Sequence, residues 1–167
     1  MAAPLFVMWN GATGALTAPL GALASAATVT PKTMQQLQLG TSKIRIVEWG
    51  YHFTTSPTAP VTMELIDTAA VGGTGGTSGV VTPYNDTAAV TRTATPGAAA
   101  TCFGPTAEGT ITATRLLAAT MDLATYFKQQ FPLGREPEVA PGNFLRIRVT
   151  PSTAAAVSVI SYFVWEE

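Results

Sequence analysis

Apolar and polar residues alternate along several short stretches of this 167-residue chain. Residues 43–53, KIRIVEWGYHF, show the pattern over a whole strand length. Strict alternation places Val47, Trp49, Tyr51 and Phe53 on one face and Ile44, Ile46, Glu48, Gly50 and His52 on the other. Residues 61–67, VTMELID, alternate in the same way, and the Ser- and Pro-containing connection predicts a hairpin between the two strands.

Three further stretches have strand character: residues 109–118, 144–149 and 156–167. In 144–149 the aliphatic residues Leu145, Ile147 and Val149 alternate with Phe144, Arg146 and Arg148. Gly and Pro punctuate the connections between them, and short strands at such spacing are typical of an antiparallel β-sandwich. Helix-compatible spacing occurs only in 33–39 and 121–131, and the second of these also fits a strand. The sequence therefore predicts an all-β protein, an antiparallel β-sandwich of jelly-roll type.

The composition predicts one domain with two irregular regions. Residues 1–40 are almost uncharged and are punctuated by Gly and Pro, which suggests an extended N-terminal arm packed partly on the domain or on a neighbour. Residues 41–167 would form the sandwich, with a flexible loop at 69–101. The GGTGGTSG run in this loop lacks the Lys–Ser/Thr ending of a phosphate-binding loop.

Charge is scarce, and this affects which partners are expected. Only 11% of the residues are charged, 47% are hydrophobic and the formal net charge is −1. A nucleic-acid partner would need a basic patch, so none is predicted. No apolar run reaches the roughly 18 residues of a membrane-spanning helix, so no membrane partner is predicted either. A surface with so little charge favours contact with other protein chains.

The sequence offers little for catalysis. There is one histidine, His52, and one cysteine, Cys102, with no nucleophile motif beside either. The ten acidic residues are scattered, and no spacing of ligands indicates a metal site or a cofactor. We therefore predict a protein that is not an enzyme. A hydrolase would require His52 to lie close to an acid or to Cys102.

The charges that do occur are concentrated in one stretch, FPLGREPEVAPGNFLRIRV, residues 131–149. Its charged members are Arg135, Glu136, Glu138, Arg146 and Arg148. Three prolines give the stretch an extended, non-helical path. Alternating signs on such a path predict a salt-bridge network that aligns one chain on another.

Several blocks of the chain resemble small virion structural proteins of tailed bacteriophages, specifically those that coat or cement the outside of an icosahedral head. The blocks are IRIVEWGYHF, AEGTITATR, KQQFPLGREPEVAPGNFLRIRVTPS and the terminal FVWEE, together with the opening MAAPLFVMWNGATGALTAPLGALASAATVTPKTM. The resemblance implies a decoration protein made in the bacterial host cytoplasm and located on the outer capsid surface. Its implied partners are the major capsid protein and further copies of itself in a homotrimer.

On this hypothesis Leu5, Phe6 and Trp9 contact the shell, while the five charged residues of 131–149 lie between protomers. Large aromatic residues would form the core or line the trimer axis. These are Trp49, Tyr51, Phe144, Tyr162, Phe163 and Trp165. The alternative is a receptor- or carbohydrate-binding module of a head fibre or tail tip, for which Tyr84, Asn85 and Asp86 are the best candidates.

Overall fold

The structure is a computed structural model that describes residues 4–11, 19–85, 95–96, 103–111, 113–122 and 125–167. Within these residues the chain forms strands and no helix. The strands are β1 (Leu5–Trp9), β2 (Leu23–Ala24), β3 (Lys32–Gln38), β4 (Ile44–Phe53), β5 (Val61–Asp67), β6 (Val81–Pro83), β7 (Thr95–Pro96), β8 (Arg115–Asp122), β9 (Tyr126–Gln130), β10 (Glu138–Val139), β11 (Phe144–Pro151) and β12 (Ser158–Glu166). The described residues therefore include no helix that could cross a membrane.

The strands form two antiparallel sheets. The first has the order β10–β4–β12–β1–β6, with β9 also paired to β4 and β2 to β12, and the second has the order β7–β3–β11–β5–β8. The longer strands are arranged β9–β4–β12–β1 in one sheet and β8–β5–β11–β3 in the other, with the first strand beside the last. This is the connectivity of a jelly roll. The predicted antiparallel β-sandwich is confirmed.

The core lies between the inner faces of the two sheets. From the first sheet it receives Phe6, Met8, Trp49, Tyr51, Phe53, Phe163 and Trp165. From the second it receives Met34, Leu37, Met63, Leu65, Leu145, Ile147 and Val149. The alternation predicted for 144–149 is correct, because the three aliphatic residues of that strand point inward.

The segment predicted as an N-terminal arm contributes strands to both sheets. β1 pairs with β12 and with β6, and its LFVMW sequence turns Phe6 and Met8 into the core, where both are fully buried. β3 lies between β7 and β11 in the second sheet. These described parts of residues 1–40 are therefore structural parts of the sandwich.

Two local predictions are wrong because tertiary pairing overrides short-range patterns. Residues 33–39 are largely β3 instead of a helix. The stretch 121–131, for which a strand was the alternative, contains β9. The strands over 44–53 and 61–67 do not form a hairpin with each other. Since the chain crosses between sheets after residue 53, β4 pairs with β12 while β5 pairs with β11.

A β-bulge interrupts the alternation in β4. Val164 pairs with Glu48 and Trp165 with Ile46, so Val47 is an extra residue in that strand. The bulge shifts the side-chain pattern by one, as bulges do. As a result Ile44 and Ile46 share the inner face with Trp49, Tyr51 and Phe53, contrary to the strict alternation expected from the sequence.

The glycine-rich run is packed against the second sheet. The side-chain amide of Gln36 donates to the carbonyl of Gly73 and accepts from its N–H, both at 2.9 Å. Thr74 pairs with Ala107, and Thr77 with Phe103. The described part of the predicted flexible loop is residues 69–85 and 95–96. It includes a strap, residues 69–77, which is held by hydrogen bonds to β3 and to residues 103–107.

Candidate interaction surfaces

Arg146, predicted to lie between protomers, is instead fully buried within its own chain. It lies on the face of β11 that the strap covers. Its guanidinium donates to the carboxylate of Glu108 at 3.4 Å, to the Glu108 carbonyl at 3.1 Å and to the carbonyl of Val71. Burial lowers the pKa of Arg146, and Glu108 opposes that shift. The side chain therefore supports the strap and cannot contact another chain.

Arg148 and Glu138 also have partners within the chain. Arg148 donates to Glu64 at 2.8 Å, directly across the pair of strands β11 and β5. Glu138 accepts from Lys43 and Arg45 at 3.0 Å at the sheet edge formed by β10. Hydrogen bonds from these two cations lower the pKa of Glu138. Both predicted inter-chain charges are thus already paired within one protomer.

Arg135 and Glu136 remain as candidates for contact with a different chain. The N–H of Arg135 donates to the carbonyl of Pro132 at 2.9 Å, which closes a tight turn with Gly134 at a φ of 78°. Glycine suits that conformation because it has no Cβ. Arg135 is exposed, and none of the ion pairs between described residues includes it. At the tip of this turn, Leu133 is 94% exposed.

The predicted apolar contacts divide into two groups. Phe6 and Trp165 are fully buried in the core, with 5.8 Å between their ring centroids. The prediction that Phe6 contacts the shell is therefore wrong, whereas Trp165 takes the core position, one of the two proposed for it. Of the other large aromatics proposed for the core or the trimer axis, Trp49, Tyr51 and Phe163 belong to the core as well. Leu5 and Trp9 alternate with Phe6 and therefore lie on the outer face of the first sheet, packed against Tyr162 and its neighbours.

This outer face carries an aromatic cluster around one ion pair. Trp9 stacks on Tyr162 with 4.3 Å between ring centroids. The Tyr162 hydroxyl donates to Glu48 at 2.6 Å, and Lys128 contacts the other oxygen of that carboxylate at 2.8 Å. Desolvation raises the pKa of Tyr162, and the nearby Glu48 raises it further. Tyr162 also lies across Gly50, where a Cβ would come within 2.7 Å of its ring.

Two exposed tyrosines flank this cluster. Tyr84 and Tyr126 are 61% and 58% exposed, and both contribute to the raised pKa of Tyr162. We name the set Trp9, Tyr84, Tyr126, Lys128 and Tyr162 the aromatic face. Sequence reasoning named Trp9, Tyr84 and Tyr162, each for a different contact, but missed Tyr126 and Lys128. Only the strand register brings β1, β9 and β12 together. Asn85 accepts a hydrogen bond from the N–H of Leu5, and Asp86 lies outside the described residues.

A second exposed region follows the open side of the sandwich, where β8 is the edge of one sheet and β9 and β10 are the edge of the other. Among the described residues, six large apolar side chains are exposed, and four of them lie between residues 116 and 133. They are Leu116, Met121, Tyr126 and Leu133. This concentration makes the open side, together with Arg135, a candidate surface for contact with another chain.

The described residues hold no group of three His, Cys, Asp or Glu side chains placed to bind a metal ion. His52 is exposed on β4, and Cys102 lies outside the described residues. A cleft of about 270 Å³ between residues 55–59 and 151–157 is lined by Ser, Thr, Pro, Ala and Val, without an ionisable side chain. The cleft therefore presents no acid, base or cation to a ligand.

Comparison with known proteins finds no family model, no curated protein and no solved structure that matches this chain.

Proposed function

We propose that this protein is a non-catalytic virion protein of a tailed bacteriophage, which binds the outer surface of the head and bridges neighbouring capsomers. The observation that carries the proposal is the exposed apolar open side next to Arg135. The jelly roll supports it by fold-level analogy, because this architecture recurs in viral capsid domains. The sequence blocks that resemble phage head-coating proteins support it independently.

The turn at 132–135 is exposed and rigid, as expected of a segment that binds a partner. Leu133 is 94% exposed, and covering such a side chain contributes about 1.5–3 kcal/mol. The turn is closed by its own hydrogen bond and by Gly134, so little conformational freedom is lost when it binds. Arg135 beside it supplies one charge that selects the register on a partner.

In this proposal the partners are the major capsid protein and further copies of this chain, assembled as a homotrimer on the outer capsid surface. Each protomer then presents its own Leu133–Arg135 turn to the shell. Repeating one modest contact around a symmetry axis raises the total affinity well above that of a single contact. Light scattering on the purified protein reports the trimer.

The test is co-sedimentation of purified variants with phage heads that lack this protein. Arg135→Ala and Leu133→Ser should each weaken binding about tenfold, equivalent to about 1.4 kcal/mol, with an unchanged circular dichroism spectrum. Val29→Ser is the matched control, since Val29 is also exposed at 56% but lies away from the open side in sequence. A wild-type protein that does not bind heads would overturn the proposal.

A second function, glycan or receptor binding, is favoured by the aromatic face. Exposed rings beside a carboxylate and an ammonium group offer both stacking surfaces and hydrogen-bond partners for a sugar. Retention of the protein on a glycan array or on host cells, lost in Tyr84→Ala and Tyr126→Ala, would support this function. Retention that is insensitive to both substitutions would exclude this face as the site.

A further inference from the structure

We propose that β8 is a self-complementary docking strand, which pairs antiparallel with β8 of a second copy of this chain. β8 is the edge strand of the five-stranded sheet and is eight residues long. Among the described residues, nothing pairs with its outer edge. Edge strands are usually protected by Lys or Pro, by short length or by a bulge that twists the edge away. β8 has neither residue, and only its first and last positions are charged.

A bulge in β8 gathers its exposed apolar side chains on one face. Ala118 pairs with Leu65 and Leu116 with Ile66, so Leu117 is an extra residue. Leu116 and Met121 are five positions apart and would otherwise point to opposite faces. With the bulge both lie on the outer face, where they are 55% and 73% exposed.

The paired positions of β8 read Arg115, Leu116, Ala118, Ala119, Thr120, Met121 and Asp122. Ala119 is the middle of the seven positions. Antiparallel self-pairing about Ala119 therefore places Leu116 opposite Met121 and Ala118 opposite Thr120 of the second copy.

This register identifies a second copy as the occupant because the two exposed apolar side chains of one strand meet those of the other. Leu116 of each copy covers Met121 of the other, so this apolar contact occurs twice. At the twofold axis Ala119 meets Ala119, and both side chains are small. Such a contact is isologous, with the same patch on both chains. The two five-stranded sheets would join into one continuous sheet. A slip by one residue would turn the apolar residues to opposite faces.

The inference uses Leu116 and Met121, which also belong to the open side of the proposed function, but it requires only contact between two copies of this chain. A trimer closes about a threefold axis, whereas this contact has twofold symmetry. On a shell it would link neighbouring trimers. A single strand pair is small beside the roughly 1,200–2,000 Å² of a stable interface, so we expect association that increases with protein concentration.

Disulfide trapping tests the register. In a Cys102→Ala background, Ala119→Cys should form a disulfide-linked dimer on mild oxidation. Residues directly opposite in antiparallel strands have Cα atoms about 4.5–5.5 Å apart, within disulfide range. A mixture of Leu116→Cys and Met121→Cys chains should give the mixed dimer and little of either homodimer. Val29→Cys, exposed but away from β8 in sequence, is the control and should stay monomeric on a non-reducing gel.

Adding Met121→Lys to the Ala119→Cys chain should reduce the linked dimer at least fivefold while the circular dichroism spectrum is unchanged. Failure of both cysteine designs to cross-link in concentrated protein would overturn the inference. Equal cross-linking by Val29→Cys would also overturn it. Head binding without β8 cross-links would refute only this contact, whereas β8 cross-links in a protein that ignores heads would refute only the proposed function.

Discussion

At the scale of single residues, the most consequential interaction is the one between Arg146 and Glu108. Arg146 is fully buried, and an arginine keeps its charge in proteins. Glu108 supplies the compensating carboxylate and also accepts from the N–H of Thr33 at 2.8 Å. The two side chains together thereby connect β11, β3 and the strap. Loss of Glu108 leaves the buried guanidinium of Arg146 without its carboxylate.

We predict that Glu108→Ala lowers the free energy of unfolding by about 3 kcal/mol, because it leaves a buried guanidinium without its carboxylate. Urea denaturation followed by tryptophan fluorescence measures the change. Glu138→Ala is the control: its ion pairs are exposed, so the urea midpoint should hardly move. Equal effects of the two substitutions would show that the buried pair has no special role.

At the scale of elements, the strap shows how glycine permits close packing. A Cβ on Gly72 would lie 2.5 Å from the Phe144 ring, and one on Gly73 would lie 2.7 Å from Pro105. Neither glycine has a positive φ. Glycine is required here because a larger side chain would clash with its neighbours, and not because of the backbone conformation. The run GGTGGTSG is therefore an adaptation for packing on the second sheet as well as a connection.

We expect Gly72→Ala and Gly73→Ala each to cost about 1–3 kcal/mol of unfolding free energy through overpacking. The thermal midpoint, measured by circular dichroism, reports the loss. Gly21→Ala is the matched control, because nothing lies within 4 Å of the position of its Cβ and its φ is not positive. If the strap substitutions were as harmless as the control, the packed strap would be disproved.

At the scale of the whole molecule, the sandwich is closed by its first strand. β1 lies beside β12, the last strand, and covers one edge of it from Leu5 to Trp9. Phe6 and Met8 fill the core from that position, and both are completely buried. The two ends of the chain therefore depend on each other, which is a consequence of the jelly-roll connectivity.

We predict that deletion of residues 1–10 prevents cooperative folding, because it removes two buried core side chains and leaves an edge of β12 unpaired. Proton NMR would show the loss of dispersed amide signals. A synthetic peptide of residues 1–11 added in excess should restore them by occupying the vacant position. A truncated protein with native-like signals and stability would contradict the placement of β1.

The sequence by itself determined the fold class and much of the core. Alternation at 144–149 predicted which residues of β11 point inward, and Gly and Pro punctuation predicted a sandwich. These predictions rest on local physics, because the two-residue period of a strand is visible along the chain. Short-range signals failed at 33–39 and around Val47, where cross-strand pairing and a bulge decided the conformation.

Only the tertiary structure decided which charges are paired within the chain. Arg135, Glu138, Arg146 and Arg148 look equivalent along the sequence, yet three of them find partners within one protomer. Those partners are distant in sequence. Arg45 of β4 pairs with Glu138, and Glu64 of β5 pairs with Arg148. Glu108, which precedes β8, pairs with Arg146. Burial and ion pairing depend on contacts between distant segments, which a pattern of neighbouring residues does not encode.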